Sequence, residues 1–133
     1  SEYLGGSDAL PEKIKRLAGM IAARSMDCQY IWDAQATEGR KAGLSGALVD
    51  AMREKDPLPS LPDDEAPLVQ YGQELVTTSH VSQEVFQAAL DQVGLQGLTE
   101  FTTYIGYYRM LALNANAFTI DVPEQRTEAL LPI

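Results

Sequence analysis

Apolar residues recur at three- and four-residue intervals along nearly the whole chain, and no stretch alternates with the two-residue period of a half-buried strand. This pattern restricts the chain to an all-α fold of about six helices. The spacing predicts a first helix from about Leu10, with Pro11 suited to its first turn. It buries Ile14, Leu17, Ala18, Ile21 and Ala22 and ends near Ser25. Asp27 is placed to cap a second helix that carries Cys28, Ile31, Trp32 and Gln35 along one side, with Gly43 as a left-handed terminator. Ser45 is expected to cap a third helix with Leu48, Val49 and Met52 inward.

The stretch DPLPSLPDDEAP, residues 56 to 67, holds four prolines and cannot continue a helix, so it reads as the longest connection, a loop or a lid. A fourth helix is expected from Asp63 or Asp64 to Thr78, with Leu68, Gly72, Leu75 and Val76 inside, and a fifth from Ser82 to Gly94. The sixth and longest is expected to open at Thr99, with Phe101, Ile105, Tyr108, Leu111 or Ala112, and Ala115 as its inner stripe. After Phe118 the period is lost, and the segment TIDVPEQRTEALLPI reads as an extended tail that could lie on a neighbouring subunit.

At 133 residues and 45% hydrophobic content the chain has the size of one domain with a real core, residues 1–133. Nineteen acidic against ten basic residues give a net charge of -9, with no Lys/Arg cluster to offset it. Phosphate backbones and anionic lipid would be repelled, which argues against nucleic acid and membrane surfaces as partners. No apolar run approaches the roughly 18 residues of a membrane span, and no basic-then-apolar leader opens the sequence. A reducing cytoplasm is the expected setting. One cysteine closes no intramolecular disulfide, and Cys28 with His80 does not make a zinc site, so neither metal nor cofactor is called for.

Cys28 is expected in the first turn of its helix, where the positive end of the helix dipole would lower a thiol pKa from its usual value of about 8.5. Asp27 beside it opposes that effect, and a small buried core residue is an equal alternative. His80, in TTSHVS between two helices, is the one side chain whose ordinary pKa lies near neutrality; it is either an acid–base group or a solvated loop residue.

The segment CQYIWDAQATEGRKAGLS, residues 28 to 45, resembles the signature helix of the carboxymuconolactone decarboxylase and alkylhydroperoxidase D superfamily. Members often read Cys, any residue, Tyr, any residue, Trp, then His, and close on Ala-Gly-Leu-Ser. The flanks LGGSDALPEKIKRLAGMIAAR and LTEFTTYIGYYRMLALNANAF are similar to the helices that precede the motif and close the fold, so the resemblance runs from residue 4 to residue 121. It implies an all-helical protein that assembles as a homo-oligomer, a trimer or hexamer, with a dimer also possible. Many members carry a further N-terminal helical segment that has no counterpart in these residues.

In the redox branch of that family, one thiolate of a CxxC pair attacks peroxide, the second resolves the sulfenic acid, and a His with an upstream Glu relays protons. By the resemblance, Cys28 matches the first cysteine, Ile31 stands at the second, Gln35 at the His and Arg16 at the Glu. The CxxC is thus degenerate, and Ile31 resolves nothing. The decarboxylase-like branch works without the dithiol, on small carboxylated substrates. There Arg16 could bind a carboxylate, Gln35 could donate to an oxyanion, Tyr30 offers a hydroxyl and Trp32 a flat wall. Among Tyr104, Tyr107 and Tyr108 of YIGYYRM, Tyr108 is expected to line the pocket or a subunit contact.

Each of these residues has a structural alternative. Arg16 could sit on the solvated flank of the first helix, Tyr30 and Trp32 could serve packing, and Gln35 could be an interface amide. Three functions follow from the sequence: a non-redox lyase or isomerase for a small organic anion, a single-cysteine antioxidant protein using Cys28, and a binding or structural subunit.

Overall fold

The computed structural model describes residues 10–133. The part of the family-like stretch that falls on residues 4 to 9 lies outside them. Five helices follow one another: α1, Glu12–Ser25; α2, Gln29–Lys41; α3, Gly46–Glu54; α4, Ala66–Thr78; and α5, Gln83–Ala117. No strand occurs among the described residues. No helix among them is long and apolar enough to cross a membrane.

Helix α1 is the centre of the molecule and packs against all four others. Its sequence explains that position, because every residue from Leu17 to Arg24 is buried and Ala18, Gly19, Ala22 and Ala23 are small enough to let neighbouring helices close in. The inner residues expected for α1 and α3 are in place, and Ser45 and Ser82 cap α3 and α5 by accepting from the Leu48 and Val85 amides. Gly43, at φ 111°, ends the α2 turn in a conformation that side-chain-bearing residues avoid.

Four expectations need correction. Asp27 does not cap α2. It adopts φ 49° in the tight turn after α1, its carboxylate accepts from Arg24 Nη1 at 2.5 Å, and Cys28 occupies the capping position without a side-chain bond. Helix α4 starts at Ala66 with Glu65 ahead of it, because the amides of both residues bond back to the Pro62 carbonyl and Lys13 pairs with the Asp64 and Glu65 carboxylates. The helix does break at Gly94, at φ 75° and ψ 172°, as expected, but the rod beyond it resumes directly within α5 and not at Thr99. Thr99 opens nothing: its hydroxyl donates to the Leu95 carbonyl inside the helix.

The fourth correction concerns the tail, which lies along its own chain's α2 rather than on a neighbour. The Gln29 side-chain amide brackets Leu131, donating to its carbonyl at 2.9 Å and accepting from its N–H at 2.8 Å. Arg40 holds the buried Glu128 by two bonds, Nε to Oε2 at 2.5 Å and Nη2 to Oε1 at 3.2 Å, and Leu131 inserts into the core.

Candidate functional site

Helices α1 and α2 cross where both lack side-chain bulk. A Cβ on Gly19 would lie 2.6 Å from Gln35 Cγ and Oε1, and one on Gly39 would meet Leu44, Met20 and Arg16 at 3.0, 3.1 and 3.6 Å. This close approach brings Arg16 of α1 to Gln35 of α2, and Arg16 Nη1 donates to Gln35 Oε1 at 3.3 Å. Glu12, one turn earlier on α1, accepts from Arg16 Nε at 2.7 Å. Two of the guanidinium's five N–H donors are thereby used, and the side chain keeps 26% of its surface open to solvent. Gln35 itself is buried. With its oxygen bonded to Arg16, its amide nitrogen is the group left to donate.

Helix α5 supplies the third side of this corner. Tyr108 is half-buried, and burial holds its phenol above the usual tyrosine range while the nearby Arg16 charge pulls the other way. Tyr104 stacks on Tyr108 at 6.4 Å between ring centres, Tyr107 meets it edge-on at 5.3 Å, and Lys15 Nζ lies 6.0 Å above the Tyr104 ring. The corner therefore combines a partly open cation, a buried amide and a protonated phenol.

The remaining sequence-selected residues lie differently. Cys28 is 1% exposed and belongs to the hydrophobic core; its N–H donates to the Ala23 carbonyl and its own carbonyl accepts from Trp32. Ile31 and Trp32 are buried in the same core, and the Trp32 indole N–H finds no hydrogen-bond partner among the described residues. Tyr30 points outward. His80 is exposed in the turn after α4, where its N–H and carbonyl both bond Thr78. No group of three or more His, Cys, Asp or Glu that could hold a metal ion occurs among the described residues.

An open hollow of about 640 Å³ lies elsewhere, between the C-terminal halves of α1 and α3, the proline-rich loop and α4, lined in part by Arg24, Met52, Leu58 and Val76. Two of its α1 residues, Ile21 and Ser25, sit about 140° and about 180° around the helix from Arg16. Sequence reading missed Glu12, although its four-residue spacing from Arg16 was visible, and missed both glycines of the crossing.

The three-dimensional arrangement has a solved counterpart. A crystal structure from Agrobacterium tumefaciens, described as a protein of unknown function and candidate antioxidant defence protein AhpD, superposes with a TM-score of 0.78. The chains share 18% identity over 90% of this one and 84% of that one. The fold is AhpD-like. No family model matches the sequence, and neither does any curated protein. At this identity the likeness speaks for the AhpD-like architecture, and the chemistry has to be argued from the side chains that occupy it.

Proposed function

We propose that this AhpD-like chain is a carboxymuconolactone decarboxylase-like enzyme, a lyase or isomerase that acts without redox chemistry on a small organic anion. The observation that carries the reading is the Arg16–Gln35 hydrogen bond at the α1–α2 crossing. A guanidinium there binds a substrate carboxylate through its remaining N–H groups. The Gln35 amide N–H faces the oxygen on which negative charge develops as the carbon–carboxyl bond breaks and carbon dioxide leaves. Tyr108, a neutral phenol whose pKa burial raises further, supplies the proton that returns to carbon and regains one from water. Trp32 serves packing in the core, and Tyr30, which points outward, and His80 have no part in the step. A homo-oligomer in a cytoplasmic setting belongs to the same reading.

The test is turnover of a panel of small lactone and keto carboxylates, followed by release of carbon dioxide or by isomer formation. Arg16→Ala should lower kcat/KM by about 100-fold or more at unchanged melting temperature, the usual cost of one charge-stabilising donor. A variant as active as the parent removes the proposal.

A single-cysteine antioxidant protein is the second reading, and the description of the solved counterpart favours it. The burial of Cys28 and the Ile31 side chain at the resolving position stand against it. A sulfenic-acid trap applied after a peroxide pulse decides: labelling of Cys28 at native helix content supports the antioxidant role, and none excludes it.

A further inference from the structure

The hollow at the C-terminal end of α1 is built around a buried cation. The last turns of α1 and α3 meet there, and a helix C-terminus carries partial negative charge. Arg24, in the last turn of α1, answers both ends: its Nε donates to the Arg53 carbonyl of α3 at 3.1 Å and its Nη1 to Asp27 Oδ1 at 2.5 Å. That uses two of the five N–H groups of a guanidinium, and the others have no partner among the described residues. The residue is nevertheless only 8% exposed, and it forms part of the wall of the hollow. Unmet donors on a side chain buried this deeply are costly unless something in the hollow accepts from them.

We infer that this hollow is a second binding site, for a small amphiphile with a carboxylate head and an apolar tail. The head is specified by two cations. Beside Arg24, Lys55 lines the same wall; it ends α3 at φ 59°, is exposed, and makes no ion pair among the described residues. A guanidinium matches a planar carboxylate with parallel N–H bonds, and the ammonium adds a point charge at the mouth. The tail is specified by Ile21, Met52, Leu58 and Val76, which come from α1, α3, the proline-rich loop and α4 and line the rest of the wall. Leu58 is the exposed one of the four, an apolar side chain at the rim that a bound tail would cover. The volume of about 640 Å³ falls in the range of small-molecule sites, about 300–1,000 Å³.

Charge decides the sign of the head group. Asp56 is the one carboxylate on the wall, and it is exposed, so water screens it, whereas Arg24 is buried and acts through little solvent. In a chain of net charge -9, a wall whose cations outnumber its carboxylates is where a small anion is received at least cost. An organic cation would gain Asp56 and meet both Arg24 and Lys55, which repel it. The site is separate from the Arg16 corner: Arg24 lies just over two turns further along α1, and the inference does not depend on the chemistry proposed for that corner.

Titration of the full chain, labelled with methyl-13C methionine, with decanoate and with decylamine tests it by nuclear magnetic resonance. The Met52 methyl signal, assigned by its loss in Met52→Leu, should move and saturate with a Kd of about 1 mM or tighter for decanoate. The methyl of Met110, exposed on α5, should stay, and decylamine should bind more weakly than decanoate. Lys55→Gly, which suits the left-handed backbone there, should weaken decanoate by about 2–5-fold, and Leu58→Asp, which sets a charge in the path of the tail, by about tenfold or more, each at unchanged helix content. Arg16→Ala should leave the decanoate affinity as it is, so failure of the turnover assay and failure of this titration are distinguishable. A Met52 signal that does not move, an equal movement of Met110, decylamine binding as tightly as decanoate, or folded variants that bind like the parent would each overturn the inference.

Discussion

Arg40→Met tests the ion pair that holds the C-terminal segment; it also removes an exposed pair with Asp50 at 2.8 Å, a contact of the kind that contributes little. Arg40 grips Glu128 with two donors, and the Glu128 side chain is 3% exposed against 34% for Arg40. Removing the cation leaves a buried carboxylate with Asp33, another carboxylate, close enough to feel its charge. Breaking one side of a buried ion pair costs about 3–5 kcal/mol. Because Arg40 is a third open to water, the lower end applies, about 3 kcal/mol. For a chain of this size that corresponds to a fall of about 1.5–2 M in the urea midpoint, followed by far-ultraviolet circular dichroism. Glu128→Gln keeps the shape and removes the charge, so it should cost only about 1 kcal/mol. The double variant Arg40→Met with Glu128→Leu should recover most of the loss, since neither charge is then buried. A local readout accompanies the global one: trypsin should cut after the exposed Arg126 faster in Arg40→Met than in the parent. If Arg40→Met costs no more than Glu128→Gln, the tail is not held by this pair and the reasoning fails.

Gly19→Ala should lose more activity than stability. The new methyl would lie 2.6 Å from Gln35 Oε1 and would push that amide off Arg16. Overpacking of about 1–3 kcal/mol is partly offset by a helix-propensity gain of about 0.5–1 kcal/mol. Gly72→Ala, which meets Ile21 Cδ1 at 2.6 Å, is the control, and melting curves with matched rate assays should find its activity intact. Asp33 is held above its ordinary pKa, first by burial, then by the Glu128 charge, with Arg126 opposing. The folded chain therefore keeps that proton longer than the unfolded one, so this residue costs stability as pH rises from its unfolded value of 3.8 through the raised folded one. Asp33→Asn should raise the melting temperature at pH 7 and leave it unchanged at pH 3; the reverse order would contradict the assignment. Arg16→Ala should move the Tyr108 phenolate titration, read by ultraviolet difference against Tyr108→Phe, to still higher pH, because the Arg16 charge is what lowers it. No movement would mean that the two groups do not share the corner.

The helices were legible in the sequence wherever a local rule acted alone. The Ser45 and Ser82 caps, the positive φ at Gly43 and the inner residues of α1 all follow from spacing and cap chemistry within a few residues. The misreadings came where a distant partner overrode a local preference. Asp27 is a good capping residue by type, yet Arg24, itself anchored to the Arg53 carbonyl, takes its carboxylate. The segment after Phe118 has no period because its fixings, Gln29 to Leu131 and Arg40 to Glu128, join residues about 90 to 100 positions apart in the chain. The meeting of Arg16 with Gln35 depends on Gly19 and Gly39, whose contribution is an absence of atoms that no pattern of apolar residues reveals.

Those two glycines also bear on how an AhpD-like backbone can change its chemistry without changing its shape. The geometry at the crossing is fixed by what is missing at positions 19 and 39, and the side chains at 16 and 35 are then brought together whatever they are. A carboxylate and an imidazole at those positions, as the family resemblance implies for the redox branch, would form a proton relay. A guanidinium and an amide relay no proton near neutrality, and on the reading proposed above they anchor a negative charge instead. The same exchange leaves no proton relay beside Cys28, and the sulfur lies in the core while the polar surface of the site is carried by Arg16, Gln35 and Tyr108.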